Sequence, residues 1–155
     1  MILDGSKNFD EQHKGINRLF KEYQDLKVKD ANKAKELFEK FASNLQRHML
    51  WEERILFPIL LQEGCDNTSH AVEVIKVEHR KILQLLKKLY LKVSQKEESS
   101  REEEELISAL IKHEEFEDDV LHPVVDRSSK KKEAFEAILD ISYEGFEEDF
   151  SITID

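Results

Sequence analysis

His48-Met49-Leu50-Trp51-Glu52-Glu53-Arg54-Ile55-Leu56-Phe57-Pro58 and, 65 residues later, His113-Glu114-Glu115-Phe116-Glu117-Asp118-Asp119-Val120-Leu121-His122-Pro123 are the two stretches that decide the fold. Each sets a histidine and a glutamate four residues apart, follows with an acidic residue, and ends in Leu-x-Pro. At roughly 100° per residue, four steps of an α-helix return to within about 40° of the same face, one turn along. Each pair can therefore aim one imidazole and one carboxylate at a common point. A single His-x-x-x-Glu carries little weight in a chain where 34 of 155 residues are acidic. The repeat of the longer string carries more. Two further histidines, His13 and His79, recur at an offset of 66, with Ile16 matching Ile82 and Leu19 matching Leu85. The pattern predicts a duplicated helical hairpin whose halves face each other across a pseudo-two-fold axis.

Apolar positions spaced by three and four extend these stretches into seams. The first helix reads Phe9, His13, Ile16, Phe20, Tyr23; the second Phe38, Phe41, Leu45, His48, Glu52, Ile55, Ile59. The third reads Val72, Ile75, His79, Ile82, Leu86, Leu89, Val93, and the fourth Leu106, Leu110, His113, Glu117, Val120, Val124. Every seam carries a histidine. A buried polar group without a partner costs roughly 2–7 kcal/mol, so six such groups on core stripes must satisfy one another, and a shared metal centre does so. Single buried histidines are usually hydrogen-bonded core residues; it is the set His13, His48, Glu52, His79, His113 and Glu117 that reads as metal ligands, held together or not at all.

The composition agrees. A chain of 155 residues, with 37% charged and 39% hydrophobic residues but only 4 Gly and 2 Pro, suits one all-α domain spanning 1–155. The expected architecture is an up-down-up-down four-helix bundle over about 8–126, plus a short C-terminal helix and tail in 127–155. The net charge of −10, with Lys130-Lys131-Lys132 as the one basic run, argues against nucleic acid or an acidic membrane surface as partner. Cys65 has no second cysteine to pair with, residues 1–6 lack the features of a secretory signal, and the longest apolar stretch, 55–61, is far too short for a membrane span. The expected compartment is the cytoplasm. Asn8 or Asp10 is expected to cap the first helix, Thr68 or Ser69 the third, and the acidic run 102–105 to open the fourth, where the helix dipole favours negative charge; Pro123 is expected to close it. An amphipathic helix is expected over 129–148.

These residues resemble the hemerythrin-like, or HHE cation-binding, family: Gln12-His13, His48-x-x-x-Glu52 with Leu56-Phe57-Pro58, Glu78-His79 and His113-x-x-x-Glu117, over roughly residues 8–126. The resemblance implies a non-haem di-iron centre, oxo- or hydroxo-bridged, with His13, His48, His79 and His113 as terminal ligands and Glu52 and Glu117 as bridges. Ferritin-like bundles pair Glu-x-x-His instead, and no histidine here has a glutamate three residues before it. Oxygen carriers of the family place two histidines four apart on the third helix, whereas Ile75 and Leu83 flank His79 at that spacing. One nitrogen ligand is therefore missing, and with octahedral ions two positions are left for solvent or ligand. The carriers' bridging aspartate, five residues after the fourth-helix histidine, aligns with Asp118, while Glu117 sits at four; both do not bridge comfortably. The His-x-x-x-Glu form on both hairpins is similar to iron-sulfur cluster repair proteins and iron-sensing hemerythrin-like domains.

Six ligands, two of them carboxylates suited to bridging, fit two octahedral ions of iron better than one tetrahedral zinc, with manganese left open. The reading is a metal- and gas-binding protein in preference to a dedicated enzyme. It takes dioxygen, peroxide or nitric oxide for sensing, detoxification or iron handling, alongside a redox partner. Two alternatives stand beside it: a repair factor or oxidoreductase that turns over peroxide or donates iron, and a metal-free helical interaction module in which the four histidines tolerate alanine. Glu53, Glu114 and Asp118 read either as partners of the histidines or as exposed charge. His70 and His122 read as non-ligands, Trp51 as core lining, and Tyr23 and Tyr90 as packing residues.

Overall fold

The computed structural model describes residues 5–62, 68–127 and 133. Four antiparallel helical rods alternate in direction: α1 (Gly5–Leu26); α2 (Ala31–Trp51) continued by a π-helical turn (Glu52–Leu56) and α3 (Phe57–Gln62); α4 (Thr68–Ser94); and α5 (Ser100–Phe116) continued by a second π-helical turn (Glu117–Leu121) and α6 (His122–Arg127). All regular structure among the described residues is helical, as the composition and seams predict. Two hairpins, α1 with α2 and α4 with α5, pack against each other through α2 and α4 and through α1 and α6.

The rod ends have local causes. Asp30, in extended conformation, caps α2 by accepting a hydrogen bond from the Lys33 N–H at 3.2 Å. The third rod ends with Lys96 in the left-handed region (φ 56°), the Lys96 N–H on the Val93 carbonyl and the Glu97 N–H on that of Lys92. Glu102 and Glu103 lie in the first turn of α5, as the dipole argument requires. Three boundary expectations are corrected. The first helix is already formed at Gly5, so Asn8 and Asp10 lie within it and do not cap it. Thr68 is the first residue of α4 and is buried, not a solvent-facing cap. Pro123 does not end the fourth rod, since the wide turn just before it accommodates its ring and the helix runs on to Arg127. Of the C-terminal helix expected over 129–148 only residue 133 is described, as helical; the remainder, and Cys65, lie outside the described residues.

The core falls into two apolar layers. One, at the end of the bundle holding the α1–α2 and α4–α5 turns, contains Phe20, Tyr23, Phe38, Phe41, Leu45, Leu86, Leu89 and Leu106. The other contains Trp51, Leu56, Phe57, Leu60, Val72, Ile75 and Leu121. His48 and Glu52 fall between them along the second rod, so a polar layer is sandwiched between two apolar ones.

The first apolar layer is closed by a carboxylate. Glu103, only 2% exposed, accepts hydrogen bonds from the Tyr23 hydroxyl (2.9 Å), Gln24 Nε2 (3.0 Å), Lys27 Nζ (2.8 and 2.9 Å) and Ser99 Oγ (2.7 Å), locking α1 to α5. Burial opposes ionisation of Glu103, but Lys27 and the three neutral donors overcome it and hold its carboxyl below the ordinary 4.5. Removing the acceptor strands several donors, so Glu103→Ala is expected to cost on the order of 2–3 kcal/mol. Because the folded-state pKa is depressed, this contribution is fully present above the unfolded value and is lost as pH falls through the folded one. Denaturant melts should show a constant gap between wild type and variant above about pH 5 that closes at lower pH. A gap independent of pH would show that the charge of Glu103 contributes nothing.

Candidate metal centre

In the polar layer the four rods each contribute a histidine: His13 from α1, His48 from α2, His79 from α4 and His113 from α5, all buried. Glu52 and Glu117, each the first residue of a π-helical turn, are completely buried between them. The six residues predicted from the seams thus converge on one layer. Donor atoms of Glu52, His79, His113 and Glu117 lie within 4.8 Å of one another, and so do those of His13, His48 and Glu117. Glu117 belongs to both groups. Its Oε1 lies 3.2 Å from both His13 Nε2 and His113 Nε2, while Glu52 Oε1 lies 3.0 Å from His79 Nε2 and 3.6 Å from His48 Nε2. The rings also pair across the bundle, His13 with His48 at 5.1 Å between centroids and His79 with His113 at 4.9 Å.

The electrostatics are those of a buried set of nitrogen and oxygen donors. Two fully buried carboxyls facing each other do not both ionise cheaply. Burial first, and then the charge of Glu117, push Glu52 well above the carboxylate range. At Glu117 burial acts the same way but is overcome by the neighbouring charge of His113, which holds it well below that range. Burial would lower His113, yet Glu117 and Glu78 raise it to about 10. His48 moves the opposite way, pushed well below 6.5 by burial and by the neighbouring imidazoles. Even so, Glu52 Oε2, both oxygens of Glu117 and His113 Nε2 are buried without a hydrogen-bond partner. Such atoms cost about 1–3 kcal/mol each, and a cation coordinated by nitrogen and oxygen satisfies them together. The residues therefore fit a metal.

The outer contacts are ordered too. His79 Nδ1 lies 2.6 Å from Glu53 Oε2, and His113 Nδ1 lies 2.9 Å from Glu78 Oε1, so both rings present Nε2 to the cluster. Burial raises Glu53, but its contact with His79 brings it below the usual 4.5. Glu53 is thus a histidine partner, one of the two readings its sequence position allowed. Glu78 went unassigned a role in the sequence, where only its place beside His79 drew notice. Glu114 accepts hydrogen bonds from Asn17 Nδ2 at 2.9 and 3.3 Å, and burial raises its carboxyl. Of the adjacent acids, Glu117 is buried in the cluster and Asp118 is exposed. His70 is exposed, and Trp51 is fully buried with its ring 5.8 Å from that of His48.

The fold and this layer define a class: an all-helical bundle with a buried nitrogen and oxygen donor set able to hold a metal. The family model for the hemerythrin HHE cation binding domain matches residues 4–125, and matches again over 70–142. The chain belongs to the hemerythrin HHE cation-binding family. No curated protein and no solved structure matches it. No helix among the described residues is long and apolar enough to cross a membrane.

Proposed function

We propose that the chain is a non-haem di-iron protein that takes dioxygen, peroxide or nitric oxide, and serves sensing, detoxification or iron handling in preference to bulk oxygen transport. The observation that carries this reading is the pair of donor groups joined through Glu117. A single tetrahedral zinc needs one closed set of four ligands, whereas two linked sets containing two carboxylates suit a pair of octahedral ions. His13 and His48 would serve one ion, His79 and His113 the other, with Glu52 and Glu117 between them. The ions would supply a redox-active, Lewis-acidic centre for a small oxidant.

The chain's own residues set what such a centre can do. Ile75, one turn before His79, is fully buried in the second apolar layer, so no further nitrogen donor comes from that position and a place is left for a small ligand. Trp51, Leu56, Phe57 and Leu60 close that side with apolar surface, which limits water and favours small uncharged molecules over anions.

Metal analysis of anaerobically purified protein, with optical spectra before and after admission of air, tests the reading. The expected result is about two irons per chain, with near-ultraviolet bands on oxidation that are absent from a Glu52→Ala, Glu117→Ala double variant. Two manganese ions in place of iron would correct the element; a folded chain that refuses added ferrous iron and manganese would leave the interaction-module reading as the better one.

A further inference from the structure

Side-chain bridges join the rods at the donor layer. Glu53 reaches from the second rod to His79 on α4 at 2.6 Å, and Glu78 from α4 to His113 on α5 at 2.9 Å. Each of these ends on a ring of the donor set. Another joins α1 to α5, where Glu114 accepts from Asn17 Nδ2 at 2.9 and 3.3 Å, and neither residue belongs to the donor groups. Asn17 lies one turn after His13, and Glu114 directly after His113, so this bridge sits at the edge of the layer. On the same face of the bundle α1 packs more closely on α6 than on α5. Where α1 and α5 diverge, a surface groove of about 650 Å³ runs between them, lined by Asn17, Phe20 and Lys27 of α1 and by Glu103, Glu104 and Ile107 of α5. It extends from Asn17 to the Glu103 clasp at Lys27, roughly 15 Å of helix.

We propose that this groove is the route by which a divalent cation reaches the donor layer, and that the Asn17–Glu114 hydrogen bonds are its inner closure. The inference rests on the metal-centre reading above. The apolar layers on either side of the donors exclude an ion that approaches along the bundle axis. The α1–α2 face is the most closely packed of the four. Opening the face between the second rod and α4, or that between α4 and α5, would pull Glu53 or Glu78 off a histidine. Parting Asn17 from Glu114 moves no member of the donor groups. Both side chains are half-buried, so water in the groove can take over their hydrogen bonds. Such side chains change rotamer far faster than packed rods separate. Once parted, Glu114 presents carboxylate oxygens, and Asn17 an amide oxygen, of the kind that divalent ions accept.

The test follows the anaerobic loading of the metal-free full chain by cobalt(II) alone, through the ion's visible bands, and its removal by excess chelator; calorimetry gives the affinity. Asn17→Ala leaves the route open and is expected to speed loading and removal alike by roughly tenfold, the equilibrium weight of one ordinary hydrogen bond, with the affinity and bands of wild type. Asn17→Phe fills the inner end of the groove and should slow both by a similar factor, again without moving the affinity. A merely structural role does not give opposite signs, since two destabilising substitutions at one position would shift the rates in the same direction. Rates unchanged in either variant, or moved in the same direction in both, overturn the route while the cation site stands. A wild-type chain that binds neither cobalt nor ferrous iron overturns the metal-centre reading itself, and the route with it.

Discussion

Glu117→Ala is expected to abolish stable metal uptake, where His79→Ala or His13→Ala each removes one ion's site and weakens the other less. The difference follows from sharing: Glu117 stands in both donor groups, whereas His79 and His13 each stand in one. Apparent binding energies of about 10–16 kcal/mol for a four-ligand site correspond to roughly 3 kcal/mol per ligand, or about a hundredfold in affinity. Glu117 counts once for each ion, so its loss is expected to weaken the pair by on the order of ten-thousandfold. A thermal readout makes the same point without spectroscopy. Free metal at a thousand times its dissociation constant stabilises a one-site protein by about 4 kcal/mol. In a domain of this size that corresponds to a rise of roughly 10 °C in melting temperature. Wild type should show at least this shift on adding ferrous iron anaerobically, and Glu117→Ala essentially none. A Glu117→Ala chain that keeps two ions after desalting would remove this residue from the centre.

The sequence made the donor layer legible because it is written twice. Six polar residues on four apolar seams, repeated at offsets of 65 and 66, leave few arrangements that bury them all, and the structure gathers all six. The seams themselves misplace what comes after the glutamates. A strict helical period puts Ile55 and Ile59 in the core; the structure buries Leu56, Phe57 and Leu60 and leaves Ile55 and Ile59 only partly covered. In the fourth rod Leu121 is buried where the period names Val120. Both slips are of one residue, and both begin at a bridging candidate, because a π-helical turn takes up one extra residue and advances the buried face by one. Periodicity cannot see such a turn; the Leu-x-Pro ending that both stretches share was its trace. The Glu103 clasp was hidden for another reason. In the run 102–105 every residue is acidic, so nothing local singles out the one that meets Tyr23, Gln24 and Lys27 some 80 positions earlier.

Removing the extra residue from both π-helical turns should separate folding from metal binding. In the first turn the Phe57 N–H reaches back five residues to the Glu52 carbonyl. Pro58, which has no N–H to donate, follows at once, so a wide turn sacrifices little ladder bonding there. Pro58 and Pro123 are both exposed, and Pro58→Ala removes no packing. That substitution alone is not expected to straighten the rod. Closing the turn without shortening the chain would rotate Leu56, Phe57 and Leu60 out of the core at about 1.5–3 kcal/mol each, more than the roughly 3 kcal/mol by which alanine outdoes proline in a helix. Pro58→Ala should therefore bind metal as wild type does. Deleting Ile55 together with Pro58→Ala, and Val120 together with Pro123→Ala, changes the balance. The spare residue is gone, a regular α-helix then buries the same leucines and phenylalanine, and each rod gains up to about 3 kcal/mol in helix propensity. The doubly shortened chain is expected to melt several degrees higher than metal-free wild type. Its metal affinity should fall by a hundredfold or more, since Glu52 and Glu117 open the two turns, Glu53 lies within the first, and a donor set tolerates displacements of only about 0.5 Å. Calorimetric titration with ferrous iron, beside a thermal melt of the same sample, measures both quantities. Higher stability with lost affinity would mean that the wide turns are kept to aim the glutamates; undiminished affinity would reduce them to the accommodation of one residue too many.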